Sequence, residues 1–383
     1  MIYLDNAATS FPKPEGVYRA MDQYARTALA NPGRGGHRMA RDAAAMVADA
    51  RLRFKKFFNA PGVERVVFAF NCTDALNLAI KGVVHPGDHV VTTDLEHNSV
   101  SRPLVALADA KVITLTRVAA DASGTVDPAD VRKAITPATR LVAVTHASNV
   151  LGTVQDVAAI AKAAREASDR VLVLVDAAQT AGVVPIDVQA MNVDLLAFPG
   201  HKSLLGPTGT GGLVVGPRAK VRAWREGGTG GDSTSPTQPV ELPYHLEGGT
   251  ANVLGIAGLV AGLDYVEAET PDAMREHEVA LCERLWEKLD AVGGFEVIGH
   301  RDPARRVGTV SFRGPPGLDS ETLGGALDAS FSIAVRAGLH CSPYIHGAVG
   351  TKDEGLVRVS PGVFNTADEI DQLVEALKDI TGA

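Results

Sequence analysis

Short, almost wholly apolar runs alternate along this chain with longer stretches whose apolar positions recur at helical spacing. The runs at 65–70, 87–93, 111–115, 141–145, 171–175, 193–198 and 213–215 read as strands. Val171-Leu172-Val173-Leu174-Val175 is continuous rather than alternating, the pattern of a central parallel strand buried on both faces. Between the runs, 15–29, 39–58 and 155–168 read as helices; Thr73 or Asn71 caps another, and Asp127-Pro128 starts one more. Strands alternating with helices predict an α/β fold: a mostly parallel sheet with helices on both faces. Beyond it, helices are expected at 253–269 and 271–289. Cys282 falls there at an apolar-face spacing with Leu281 and Leu285, and reads as core. From Phe295 onward, short strands and two helices predict a smaller α+β domain.

Length and charge narrow this picture. At 383 residues the chain exceeds what a single core usually serves, so two domains are expected. A formal net charge of -8 with no basic block argues against nucleic acid or an anionic membrane as a partner. Met1 leads directly into Ile2-Tyr3-Leu4-Asp5 without a basic and apolar leader, and no apolar run reaches the roughly 20 residues of a membrane span. A cytoplasmic location is therefore expected. Three scattered cysteines make neither a disulfide framework nor a spaced zinc site.

The chemistry concentrates where strands end. Asp176 closes the 171–175 run, and in open α/β sheets ligands bind beyond the carboxyl ends of strands. Downstream, Phe198-Pro199-Gly200-His201-Lys202-Ser203 leads into a glycine-rich loop. Its glycines allow close backbone approach to a ligand, and a lysine desolvated there becomes nucleophilic enough to form a Schiff base. A pyridoxal 5′-phosphate (PLP) site needs such a lysine and, in many cases, an acid for the pyridine nitrogen. The strand at 65–70 delivers a helix start at Asn71-Cys72-Thr73, an anion site through its free N–H groups and dipole. His97 follows another strand end, where an imidazole can stack on a ring. Arg336-Ala337-Gly338-Leu339-His340-Cys341 sets a thiol beside a histidine and downstream of an arginine. Such a thiol is a low-pKa nucleophile or a structural cysteine. A zinc reading of His340, Cys341 and His346 lacks a fourth ligand.

Asp176-Ala-Ala-Gln179 together with Gly200-His201-Lys202 resembles class V, fold-type I PLP enzymes, specifically the cysteine desulfurase and selenocysteine lyase group. The resemblance runs from Tyr3-Leu4-Asp5-Asn6-Ala7-Ala8-Thr9 to Val357-Arg358-Val359-Ser360, and the Cys341 segment is similar to that of group II desulfurases. It implies a large PLP-binding domain at 16–255 and a small domain at 256–383, with an arm at 1–15 packing near the small domain and the active site. It implies PLP held by Cys72, Thr73, His97, Asn149, Asp176, Gln179, His201 and Lys202, with Thr250 reaching the phosphate of a neighbouring subunit in a homodimer. It implies substrate binding by Ala7, Asn149, Arg336 and Arg358, and catalysis by Lys202, Cys341 and His97. The implied reaction takes L-cysteine, or L-selenocysteine, to L-alanine with a persulfide on Cys341 that a persulfide-acceptor protein could receive. No metal is implied.

Two departures bear on this. Pro199 stands where a phosphate-contacting hydroxyl residue is common, and 227–247 is shorter than the hairpin of group II enzymes that serve a sulfur acceptor. Because Lys202 and Asp176 serve the whole class, a cysteine sulfinate desulfinase, selenocysteine lyase, epimerase or aminotransferase stands as the alternative. A PLP-binding scaffold without activity is a further one.

Overall fold

The computed structural model describes residues 1–33, 35–229 and 234–382. Arg34 of the Asn31–His37 loop and positions 230–233 of the Gly227–Pro243 stretch lie outside the described residues. The chain opens with β1 (Ile2–Tyr3), α1 (Glu15–Thr27) and α2 (Arg38–Phe57). An α/β unit follows: β2 (Val66–Ala69), α3 (Cys72–Val83), β3 (Asp88–Thr93), α4 (Asn98–Asp109), β4 (Ile113–Val118), α5 (Pro128–Ala134), β5 (Thr139–Thr145), α6 (Val157–Ala167), β6 (Leu172–Asp176), β7 (Leu195–Pro199) and β8 (Gly211–Val215). Its seven strands lie in the order β2-β8-β7-β6-β5-β3-β4.

The pairs from β4 to β7 are parallel, and β8 alone runs against its neighbours β7 and β2. The reason is the connection. A parallel return needs a crossover, usually a helix, and Gly200–Thr210 contains none, so β8 folds straight back on β7. The Lys202 loop is therefore the tip of an antiparallel pair inside the sheet, next to its β2 edge. Both sheet faces are covered. Phe54, Phe58 and Phe198 pack on one side with ring centroids 4.8–6.1 Å apart, each contributing about 1.5–3 kcal/mol by burial. Leu76, Ile80 and Leu104 from α3 and α4 cover the other.

Next come α7 (Val253–Glu269) and α8 (Pro271–Val292). Leu259 and Leu263 of α7 join the core under the large sheet, whereas Leu281, Cys282 and Leu285 of α8 join a separate core. Cys282 is fully buried, as its helical spacing predicts. The remaining elements are β9 (Glu296–Ile298), β10 (Val310–Arg313), α9 (Ser320–Phe331), β11 (Ile333–Ala334), β12 (Arg336–Gly338), α10 (Pro343–Ala348), β13 (Leu356–Val359) and α11 (Ala367–Thr381). Strands β12-β13-β10-β9 form an antiparallel sheet, and β1 pairs with β11. Three helices stand in this part where two are expected from sequence. The extra one, α10, is only six residues long, begins on Pro343 and is too short to show a helical period.

Candidate functional site

The Lys202 loop is held tightly from outside. Gly182 has φ +109° and a Cβ there would come within 2.4 Å of the Ser203 carbonyl oxygen. At Gly262 of α7 a Cβ would meet the Leu204 carbonyl oxygen at 2.4 Å. Only glycine admits so close an approach of two backbones. From the arm, Ser10 Oγ donates to the Lys202 carbonyl at 2.9 Å, and Lys13 Nζ donates to that of His201 at 2.8 Å. The Lys202 amine is pushed down to about 8 by burial and by the charge of Arg358, against the opposing pull of Asp176.

Asp176 ends β6 in a buried position. Its Oδ1 accepts from the Ala178 amide at 2.9 Å and from Cys72 Sγ at 3.4 Å. Burial raises its pKa, partly offset by the Ala178 hydrogen bond and Lys202. Cys72 is the first residue of α3, and burial then Asp176 push its thiol well up. Of the two expected caps Asn71 is the one used: its side chain accepts from the Asp74 amide at 2.8 Å. Thr73 is exposed, with its hydroxyl 2.7 Å from Ser99 Oγ. His97 caps α4, its Nδ1 accepting from the Ser99 amide at 3.1 Å. Burial and then Lys202 and Arg336 drive its pKa down to about 4, so the ring is neutral. His201 is likewise pushed to about 4, by burial and Lys202.

Two arginines face this floor from the smaller sheet. Arg336 and Arg358 are direct cross-strand partners on β12 and β13, a like-charge pairing that normally destabilises a sheet. Arg358 is 1% exposed, donating from Nη2 to Asp5 Oδ1 at 2.5 Å and from Nη1 to the Asn149 carbonyl at 2.9 Å. Its Nε has no partner among the described residues. Arg336 Nη2 lies 3.1 Å from Cys341 Sγ. Asn149, after β5, donates from Nδ2 to the His340 carbonyl and accepts at Oδ1 from Ser342 Oγ, both at 2.7 Å. Gln179 Nε2 donates to the Ala7 carbonyl at 3.2 Å.

Lys202, Asp176, Cys72, His97, Gln179, Ala7, Asn149, Arg336, Arg358 and Cys341 thus converge where the two sheets meet. Thr250 does not join them within the chain. It is exposed on the wall of a cavity of about 310 Å³ lined by Arg51, Phe70, Thr210 and Asn252, with none of those ten side chains. Among the described residues no group of His, Cys, Asp or Glu could hold a metal ion. Sequence reasoning does not single out Asp5, Ser342 or Glu96. Asp5 and Ser342 acquire roles only through partners more than 190 residues away. Glu96 is fully buried, takes Thr93 Oγ1 and the Thr145 amide on Oε1, and burial pushes it up to about 8.

Residues 2–373 match the aminotransferase class-V family. The chain belongs to the class V aminotransferase family. Among its relatives, a probable cysteine desulfurase of Methanothermobacter thermautotrophicus is 36% identical over 100% of this chain and 95% of its own length. The apo structure of a cysteine desulfurase from Thermococcus onnurineus NA1 superposes with a TM-score of 0.93 at 34% identity, covering 100% of this chain and 95% of that one. The structure of the cysteine desulfurase CsdA (S-sulfonic acid) from Escherichia coli gives 0.88 at 28% identity, over 99% and 94%. The class V fold explains the expected α/β architecture, including the mostly parallel seven-stranded sheet. No helix of the described residues is long and apolar enough to cross a membrane.

Proposed function

We propose that this class V protein is a PLP-dependent cysteine desulfurase that converts L-cysteine to L-alanine and takes the sulfur as a persulfide on Cys341. The observation that carries the reading is the approach of Arg336 to the Cys341 thiol at 3.1 Å, in the same crevice as Lys202. The desulfurase names of whole-length relatives support it.

The residues present fit PLP. A buried carboxylate, Asp176, lies opposite a lysine whose amine is already easy to deprotonate, the pair that PLP requires. Lys202 would hold the aldehyde, Asp176 the pyridine nitrogen, Gln179 the ring hydroxyl and His97 a ring face, with Asn149 close by. Cys72, Thr73, His201 and the N-terminus of α3 would hold the phosphate, an arrangement that works without a hydroxyl at Pro199. Bound PLP supplies an electron sink for the substrate's α-carbon. Arg358, with Arg336 and the arm at Ala7, would bind the substrate carboxylate, and the unpartnered Arg358 Nε offers a donor for it. Lys202 takes up the α-proton. The Cys341 thiolate attacks the substrate sulfur: the S–S bond forms, the C–S bond breaks, and alanine leaves with the protons the crevice returns. The net balance is cysteine plus a thiol giving alanine plus a persulfide.

Residues 16–255 would form the cofactor domain and 256–383 the small one, with arm 1–15 between them. Leu259 and Leu263 of α7 pack in the core under the large sheet, which argues for carrying that boundary past 255, toward the end of α7 at Glu269. A cytoplasmic homodimer would complete the site, because Thr250 lies on an exposed wall that a second copy could bring to a partner's phosphate. A persulfide-acceptor protein would take the sulfur onward. The test is to supply PLP-loaded protein with L-cysteine and, in parallel, L-selenocysteine, and to measure alanine and the persulfide on Cys341. Cys341→Ser should lose at least about 100-fold of its sulfide release from cysteine and much less activity on selenocysteine. Undiminished cysteine turnover in that variant would overturn the reading.

A further inference from the structure

Leu339-His340-Cys341-Ser342 is a tight turn closed by the Ser342 amide donating to the Leu339 carbonyl at 3.0 Å. Both central residues have positive φ, 51° at His340 and 61° at Cys341. Turns of this hand favour glycine, asparagine or aspartate at their centre, since a side chain there crowds the backbone. A histidine and a cysteine in succession hold such a conformation only when surrounding structure over-determines it.

That surrounding structure comes from segments at the end of the large sheet and grips His340, Cys341 and Ser342. Asn149 Nδ2 donates to the His340 carbonyl at 2.7 Å, and the Asn98 amide donates to the Cys341 carbonyl at 2.7 Å. Ser342 Oγ, fully buried, donates to Asn149 Oδ1 at 2.7 Å. Asn149 is thus a two-sided clamp on the residues flanking the thiol. Its own carbonyl meanwhile accepts from Arg358 Nη1 at 2.9 Å. One residue therefore fixes the thiol turn and braces the buried arginine.

We propose that Ser342 and Asn149 are positioning residues for sulfur transfer: together they hold the Cys341 turn in its left-handed form and set the thiol against the substrate sulfur. This rests on the desulfurase reading for the reaction it serves, and on the turn geometry alone for the restraint. Without the Ser342 hydroxyl the turn relaxes toward ordinary negative φ, and Sγ leaves its place beside Arg336.

The experiment uses full-length, PLP-loaded protein and three variants: Ser342→Ala, Ser342→Thr and Ser342→Ala combined with His340→Gly. On mixing with L-cysteine, Ser342→Ala should show the cofactor's absorbance change at the wild-type rate but form the Cys341 persulfide about tenfold more slowly, a loss of one good hydrogen bond at the transferring step. Amide hydrogen exchange at Asn98 and Ser342 should quicken by about tenfold or more in the same variant. Ser342→Thr, which keeps the hydroxyl, should restore both. With glycine at 340 the left-handed turn costs less, so the loss caused by Ser342→Ala should shrink to under about threefold. A wild-type persulfide rate in Ser342→Ala, equal slowing of both steps, or unchanged exchange would overturn the proposal. If wild-type protein forms no persulfide at all, the desulfurase reading fails while the exchange measurement still decides the turn.

Discussion

Two turns carry Lys202 and Cys341, the side chains proposed to react, and they reach their geometry by opposite means. The Lys202 loop joins two interior strands of a sheet and is packed under glycines whose missing side chains let backbones touch. The Cys341 turn has no glycine at its left-handed centre and depends on hydrogen bonds from Asn149 and Asn98 across the crevice. The first is rigid by construction, the second by restraint. On the proposed function the difference suits the tasks: the lysine would serve a cofactor that stays, whereas the thiol would meet one sulfur atom and then pass it on. A group held by a few breakable contacts can be released when its cargo leaves.

The comparison breaks most visibly at Lys202. Lys202→Ala should lower alanine formation by about 10²–10⁴-fold, the range expected for a missing general base; a fall under tenfold, measured in the PLP-supplemented variant, would move the reactive amine elsewhere. The same side chain gives a pH signature. Only the neutral amine attacks an aldehyde, and burial brings its pKa from 10.5 to about 8. Uptake of PLP by cofactor-free protein should therefore rise about tenfold per pH unit below pH 8 and level off above it. A rise continuing unchanged to pH 10 would show the lysine to be solvated.

A smaller effect should separate the two arginines. Arg358→Lys removes the Nε donor that has no partner among the described residues, and the apparent affinity for L-cysteine should weaken about tenfold, roughly 1.4 kcal/mol. Arg336 lies against Cys341 instead, so Arg336→Lys should slow persulfide formation with a smaller change in KM. Steady-state kinetics beside single-turnover persulfide measurement would expose a reversal of the two.

The sequence makes the first turn legible and the second only half so. Continuous apolar runs mark β5, β6 and β7 because strands buried on both faces have no polar side to show. Asp176 follows because it ends one such run, and Lys202 because it lies in the loop just past another. The direction of β8 is readable afterwards from the lack of any helix in Gly200–Thr210. Cys341 is found from the sequence through its neighbours His340 and Arg336. Its left-handed backbone is not, since nothing in His-Cys announces positive φ. Asn149 is picked out beside the cofactor, yet the contacts seen bind it to residues 340 and 342, nearly 200 positions away. Asp5 with Arg358 and Thr145 with Glu96 escape for the same reason: long-range polar pairs leave no periodic trace in a chain.

The smallest predicted effect concerns the brace behind the Cys341 clamp. Glu96 joins the segment that carries Asn98 to the end of β5, four residues before Asn149, by accepting from the Thr93 hydroxyl at 2.7 Å and the Thr145 amide at 3.1 Å on one oxygen. Its other oxygen is buried without a partner among the described residues, and burial raises its pKa from 4.5 to about 8. The folded form thus holds a proton that the unfolded chain releases above pH 4.5. The stability this lends is fully present below pH 4.5 and is lost as pH climbs toward 8, at roughly 1.4 kcal/mol per pH unit. Glutamine keeps the accepting oxygen and never ionises. Glu96→Gln should therefore gain in Tm on the wild type by about 2 °C for each unit between pH 6 and 8, with the Asn98 amide exchanging no faster than in wild type. A Tm difference that stays constant across that range would show Glu96 to be ionised in the folded protein, and the brace would then be a buried charge rather than a neutral acid.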